Sequence, residues 1–156
     1  MEFTTREDIE APLEQVFAQL TNFEQIERQI MRRGIDVQRT SEGGAGTPRG
    51  MSWQASFAFR GKSRTVDVTL AEYDAPNAIT YHAVSGGLET VTKVDFVALS
   101  RSRTRVGMSV ELQPKTLSAR LMVQSLKLGK SNLEKRFRVK MAEFAKELED
   151  RLKRVS

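Results

Sequence analysis

Few residues in this chain are equipped for chemistry, and their types restrict what that chemistry can be. Between Ser41 and Trp53 the sequence reads SEGGAGTPRGMSW, with Gly44, Gly46 and Gly50 spaced G-x-G-x-x-x-G, which invites comparison with loops that wrap a phosphate in backbone N–H groups. The chain has one imidazole, His82, beside Tyr81. Glu7 falls in step with Phe3 and Ile9, so an apolar face carries a carboxylate of the kind that serves as acid or base in a dry site. Trp53, Tyr81 and Thr92 can offer hydrogen bonds to a carbonyl or hydroxyl. There is no cysteine, which excludes a thiolate nucleophile, a zinc–thiolate site and a disulfide framework. A lone histidine likewise excludes HExxH and multi-histidine metal centres. Any catalysis would rest on carboxylates, hydroxyls, lysine or water.

The elements around these residues decide how each is presented. Residues 3 to 10, FTTREDIE, alternate as a strand with Phe3, Thr5, Glu7 and Ile9 on one face. Ala11-Pro12 stops it, and Leu13, Val16, Phe17 and Leu20 recur at helical spacing. A second short helix is capped by Asn22, turns Phe23, Ile26 and Ile30 inward, and ends at Gly34. From Ile35 to Gln113 the period is two, and turn signals at RGKS (60–63), DAPN (74–77), SGG (85–87) and the Ser/Arg run near 100–104 divide the segment. About seven antiparallel strands result. After Pro114 the pattern returns to helix, and Leu117, Leu121, Leu128, Leu133, Phe137, Met141, Phe144, Leu148 and Leu152 are read as one buried stripe, with Gly129 the place for a bend or break.

Placed on these elements, the candidate residues separate. A dinucleotide loop needs a helix directly after it, whereas GMSWQASFAF alternates as a strand, so the glycine stretch reads as a strand connection. With Ile79, Tyr81 and Ala83 facing inward, His82 faces solvent. Glu7 has two readings: an inward acid, or a carboxylate exposed at the rim or paired with a cation such as Arg136 or Lys140. Asp67 and Asp95 point outward.

At 156 residues the chain is expected to form one domain, residues 1–156, with a core large enough to enclose a cavity. No window resembles a signal peptide or membrane span, so a cytoplasmic protein is expected. The net charge of +5 is unevenly placed: residues 1–100 carry 10 Lys+Arg against 14 Asp+Glu, and residues 101–156 carry 15 against 6. This basic segment is interleaved with Glu134, Glu143, Glu147, Glu149 and Asp150 and lacks outward aromatic rings for base stacking. Nucleic acid is therefore not expected as a partner, while weak contact with a membrane surface is compatible with the charge.

The blocks IEAPLEQVFAQLTNFE, GGAGT, VTLAEYDAPNAITYHAVSGG and SRTRVGMSVEL, followed by a terminal amphipathic helix, resemble the START/Bet v 1-like superfamily, also called SRPBCC or polyketide cyclase/dehydrase-like. The resemblance spans nearly the whole chain and implies an α+β helix-grip fold: a curved seven-stranded antiparallel sheet wrapped around a long C-terminal helix, with two short helices after strand 1. It further implies a cavity between sheet and helix for a small, largely apolar ligand such as a lipid, isoprenoid or polyketide-like molecule. GGAGT resembles the glycine-rich loop that plant members carry near the cavity mouth. The expected cavity residues are Trp53, Phe57, Tyr81, Phe96 and Met108 from the sheet, with Leu121, Met122 and Ser125 from the helix. No cofactor or metal is expected, and binding is favoured over catalysis. A cyclase or dehydratase, which would draw on Glu7, Tyr81 or, in the reverse strand register, His82, and an interaction or lipid-transfer protein using the basic helix are the alternatives.

Overall fold

The computed structural model describes residues 1–155. Strand β1 (Glu2–Ile9) leads into helices α1 (Leu13–Leu20) and α2 (Phe23–Arg32). Six strands follow: β2 (Asp36–Gly44), β3 (Thr47–Phe59), β4 (Lys62–Asp74), β5 (Ala78–Ser85), β6 (Leu88–Ser100) and β7 (Arg103–Pro114). Helices α3 (Leu117–Lys127) and α4 (Lys130–Val155) complete the chain. The strands form one antiparallel sheet in the order β1-β7-β6-β5-β4-β3-β2, so the N-terminal strand closes onto the last one.

Local chemistry accounts for the boundaries. Asn22 Oδ1 accepts the Gln25 N–H at 3.3 Å and starts α2, which ends at Gly34 with φ +87°. Thr116 Oγ1 accepts the Ala119 N–H at 3.2 Å and starts α3. Pro12 lies one residue ahead of α1, where its missing N–H costs nothing. The β3–β4 hairpin turns on Arg60 and Gly61, both at positive φ, the two-residue geometry that suits twisted strands. Register shifts in β2, β4 and β6 bend the sheet toward its concave face.

That face carries the core. Phe17 of α1 meets Phe96 edge-on at 5.1 Å and Tyr73 at 5.6 Å, covering one end of the sheet. Ala145, Leu148 and Leu152 of α4 join Ile9 and Val16 in the same cluster. α4 is tied down by Glu149 Oε2, which accepts the Glu10 N–H at 3.0 Å, and by Lys153, which bridges Glu149 and Glu10 at 3.5 Å. Thr104, fully buried, donates to the Ala11 carbonyl at 2.8 Å, satisfying the polar groups where β7 passes under the β1–α1 link.

One part of the C-terminal reading needs correction. The helix breaks at Leu128–Gly129, as the glycine suggests, but Leu117, Leu121 and Leu128 do not begin the buried stripe. They are 73 %, 58 % and 92 % exposed, while Ala119 and Val123 are buried. At about 100° per residue these three leucines lie within about 40° of one another and roughly half a turn from Ala119 and Val123. The smaller residues take the inner positions, and the leucines face outward.

Candidate functional site

A cavity of about 760 Å³ lies between the concave face of the sheet, α2 and the middle of α4. Its floor is apolar and comes from alternate residues of successive strands: Val37, Trp53, Ala55, Val68, Ile79, Val94 and Val106. α4 supplies Met141, Phe144 and Ala145, and α2 supplies Phe23, Ile26 and Ile30. Polar groups are few and sit mainly toward the helices: Glu27, Gln29 and Arg32 on α2 with Arg33 just past its end, Glu147 on α4, and Thr5 and Glu7 on β1.

Trp53 fixes one wall. Its ring contacts Phe23 at 5.6 Å and Tyr81 at 6.2 Å, and its Nε1–H donates to Glu27 Oε2 at 2.6 Å. The same oxygen accepts from Arg39 Nε at 2.8 Å, and Arg39 reaches Glu42 at 3.0 Å with its Nη1. Burial pushes the Glu27 carboxyl up, but the hydrogen bonds from Arg39 and Trp53 outweigh it and hold the group below the usual carboxylate range. Arg39 is raised in turn, chiefly by its hydrogen bond to Glu27. The cavity wall thus contains an indole held at its N–H by an ionised carboxylate that is itself clamped by a guanidinium.

Two further groups are free to meet a ligand. Tyr81 projects into the cavity, its hydroxyl makes no hydrogen bond among the described residues, and burial pushes its phenol up to about 12. It stays protonated at neutral pH and can donate to a bound oxygen. Glu7 also lines the cavity, half-buried, with neither Arg136 nor Lys140 against it among the described residues. His82 is exposed on the opposite face of β5. No cluster of three His, Asp or Glu side chains suited to a metal occurs among the described residues.

Of the residues expected at the cavity, the structure brings together Trp53, Tyr81 and Met108. Phe57 shares their face but lies further toward the β3–β4 turn, outside the wall. Phe96 points inward and is buried, yet it is spent on Phe17 beneath α1. Leu121 faces solvent, and Met122 and Ser125 likewise lie on α3, away from the cavity, because α4 rather than α3 crosses it. Glu27 is the residue that sequence reasoning passed over. Its spacing marks it, four residues after Phe23 and three before Ile30, on the inner face of α2. The glycine stretch forms the β2–β3 hairpin, turning at Ala45-Gly46, and none of its glycines lines the cavity.

Comparison with known proteins agrees with this architecture. Residues 1–149 match the family model described as polyketide cyclase / dehydrase and lipid transport. No curated protein sequence matches significantly. Among solved structures, the ZhuI aromatase/cyclase from Streptomyces sp. R1128 is similar, with 12% identity and a TM-score of 0.65 over 97% of this chain and 95% of that one. A norcoclaurine synthase point mutant from Thalictrum flavum, in complex with a transition-state analogue, gives 10% identity and a TM-score of 0.65 over 94% of each chain. A START superfamily protein from Mycobacterium smegmatis gives 13% identity and a TM-score of 0.58 over 86% and 95%. These likenesses support the helix-grip fold. The chain belongs to the polyketide cyclase / dehydrase and lipid transport family and has a START/Bet v 1-like fold.

Proposed function

We propose that residues 1–156 form a single binding domain for a small, largely apolar ligand of the lipid, isoprenoid or aromatic polyketide class. The observation that carries this reading is the cavity itself: about 760 Å³, floored by aliphatic side chains and Trp53, with a few polar groups supplied by α2, α4 and β1. Its size falls in the range of about 300–1,000 Å³ usual for small-molecule sites. Apolar burial at about 25 cal/mol per Å² supplies the affinity, and Tyr81, Glu7 and the mouth residues of α2 orient an oxygen-bearing end of the ligand.

Quenching of Trp53 on titration with a polycyclic aromatic phenol tests this, since no other tryptophan contributes. Saturable quenching that is abolished by Ala55→Phe, which fills the cavity floor without adding a second indole, supports the reading. Quenching unchanged by that substitution, in a variant with a wild-type circular dichroism spectrum, contradicts it.

A second reading, a cyclase or dehydratase, draws on a specific pair in the same apolar cavity: a carboxylate at Glu7 and a phenol at Tyr81, neither with an ion-pair or hydrogen-bond partner for its side chain among the described residues. Glu7 would accept a proton and Tyr81 would hydrogen-bond a carbonyl oxygen. Turnover of a poly-β-ketone analogue that is lost in Glu7→Gln while binding persists would establish it. Binding without turnover leaves the protein a carrier.

A further inference from the structure

α3 has two apolar faces, and only one of them is used. Ala119 and Val123 face the protein, whereas Leu117, Leu121 and Leu128 form a narrow stripe on the solvent side. Exposed leucines scattered singly need no explanation, but three in one helical row do. The charged side chains within the row's own span are all basic. Between Glu111 and Glu134 the sequence has no acidic residue and carries Lys115, Arg120, Lys127 and Lys130, of which Lys115 and Lys130, at the two ends, pair with Glu89 and Glu134 at 3.5 Å. Arg120 and Lys127 sit within roughly a quarter turn of the stripe and make no ion pair among the described residues. This separates α3 from α4, where Lys140 and Lys146 bridge Glu143, Glu149 and Asp150 along the helix.

We propose that the outer face of α3, with Leu117, Leu121 and Leu128 as the apolar stripe and Arg120 and Lys127 as its charged edge, docks the protein on a bilayer bearing anionic phospholipid. A helix with leucines on one side and cations beside them suits the boundary between acyl chains and acidic headgroups. A second copy fits less well: self-docking would oppose Arg120 and Lys127 to like charges, and one short row of three leucines falls well below the roughly 800 Å² per partner of a stable dimer. A nucleic acid would leave the leucines unused, since α3 has no aromatic ring for a base to stack on. Gly129, where an added Cβ would meet nothing within 4 Å, adjoins the stripe and leaves α3 joined to α4 through a residue of weak helix preference. The inference does not depend on what the cavity holds.

Flotation with vesicles of pure phosphatidylcholine, and of phosphatidylcholine containing about one-third phosphatidylglycerol, tests the proposal. The wild-type chain is expected to float with the anionic vesicles only, and to be released as salt is raised. Each cation contributes about fivefold at such a surface, so Arg120→Gln with Lys127→Gln should weaken binding about 25-fold. Leu121→Gln and Leu128→Gln should each weaken it by about tenfold. Because both leucines are exposed, these variants keep the circular dichroism spectrum and the phenol titration of Trp53, which separates loss of docking from loss of the cavity. Equal flotation with both vesicle types, no flotation with either, or leucine variants that float like wild type would overturn the proposal. So would a wild-type dimer that Leu121→Gln converts to monomer in the absence of vesicle binding.

Discussion

Replacing Glu27 with alanine removes two short hydrogen bonds to a charged acceptor, at 2.6 Å from Trp53 and 2.8 Å from Arg39. Such a bond contributes about 1.5–3 kcal/mol net. The Arg39 and Glu27 side chains are 22 % and 17 % exposed, so solvent screens part of the interaction. Arg39 also keeps Glu42 at 3.0 Å, and the freed indole N–H faces a cavity that water can enter. These offsets place the loss at about 2–3 kcal/mol, below the sum of the two bonds. Urea unfolding followed by Trp53 fluorescence measures it. A double-mutant cycle with Trp53→Phe, followed by circular dichroism, isolates the carboxylate–indole contact and should give a coupling of about 1–2 kcal/mol. A coupling within about 0.5 kcal/mol of zero would refute the reading that Glu27 holds the tryptophan in the wall. The pH dependence follows from the sign of the shift. Because folding lowers the Glu27 pKa, its stabilisation is complete above the unfolded carboxylate value of about 4.3 and is lost as pH falls through the lower folded value. Wild type should therefore lose an increment of stability in that acid window that Glu27→Ala lacks.

Three further outcomes follow from particular residues. Ultraviolet titration of the phenols should show one tyrosine ionising near pH 12, and Tyr81→Phe should remove that step. Gly43→Ala should destabilise by at least about 1 kcal/mol, because Gly43 has φ +95° and a Cβ there would lie 2.8 Å from the Pro48 carbonyl oxygen. Gly46→Ala, at positive φ but in open space, should cost less in the same denaturation series. Glu149 is held low first by the Glu10 N–H, so Glu149→Gln should flatten the acid limb of the stability curve and loosen α4, read as faster amide exchange at Leu148 and Leu152.

Strand alternation and helix caps made most of this architecture legible in the sequence. Asn22, Gly34, the Arg60-Gly61 turn and Gly129 all act where their chemistry says they should. The inward face of β1, with Glu7 beside Thr5 and Ile9, was legible for the same reason: a period of two leaves only one alternative, and Ile9 rejects it. The helical wall was harder to read. Any run of leucines at spacings of four and seven looks like one stripe, and only the burial of Ala119 and Val123 shows which side of α3 is inside. Phe96 shows a second limit, because periodicity fixes the face of a residue but not which neighbour fills the space above it; Phe17 does so here. Glu27 was legible by spacing, yet a carboxylate on an apolar helix face makes sense only once Arg39 of β2 and Trp53 of β3 are brought to it.

The central claim, that the cavity holds a small apolar molecule, is tested most directly by native mass spectrometry of the protein purified from its own host, with solvent extraction of whatever accompanies it. The account predicts a reproducible, largely apolar adduct at one per chain that is missing from Ala55→Phe. A wild-type chain that travels as bare protein under these conditions, and takes up none of the candidate lipids, isoprenoids or aromatic polyketides when they are supplied, would contradict it.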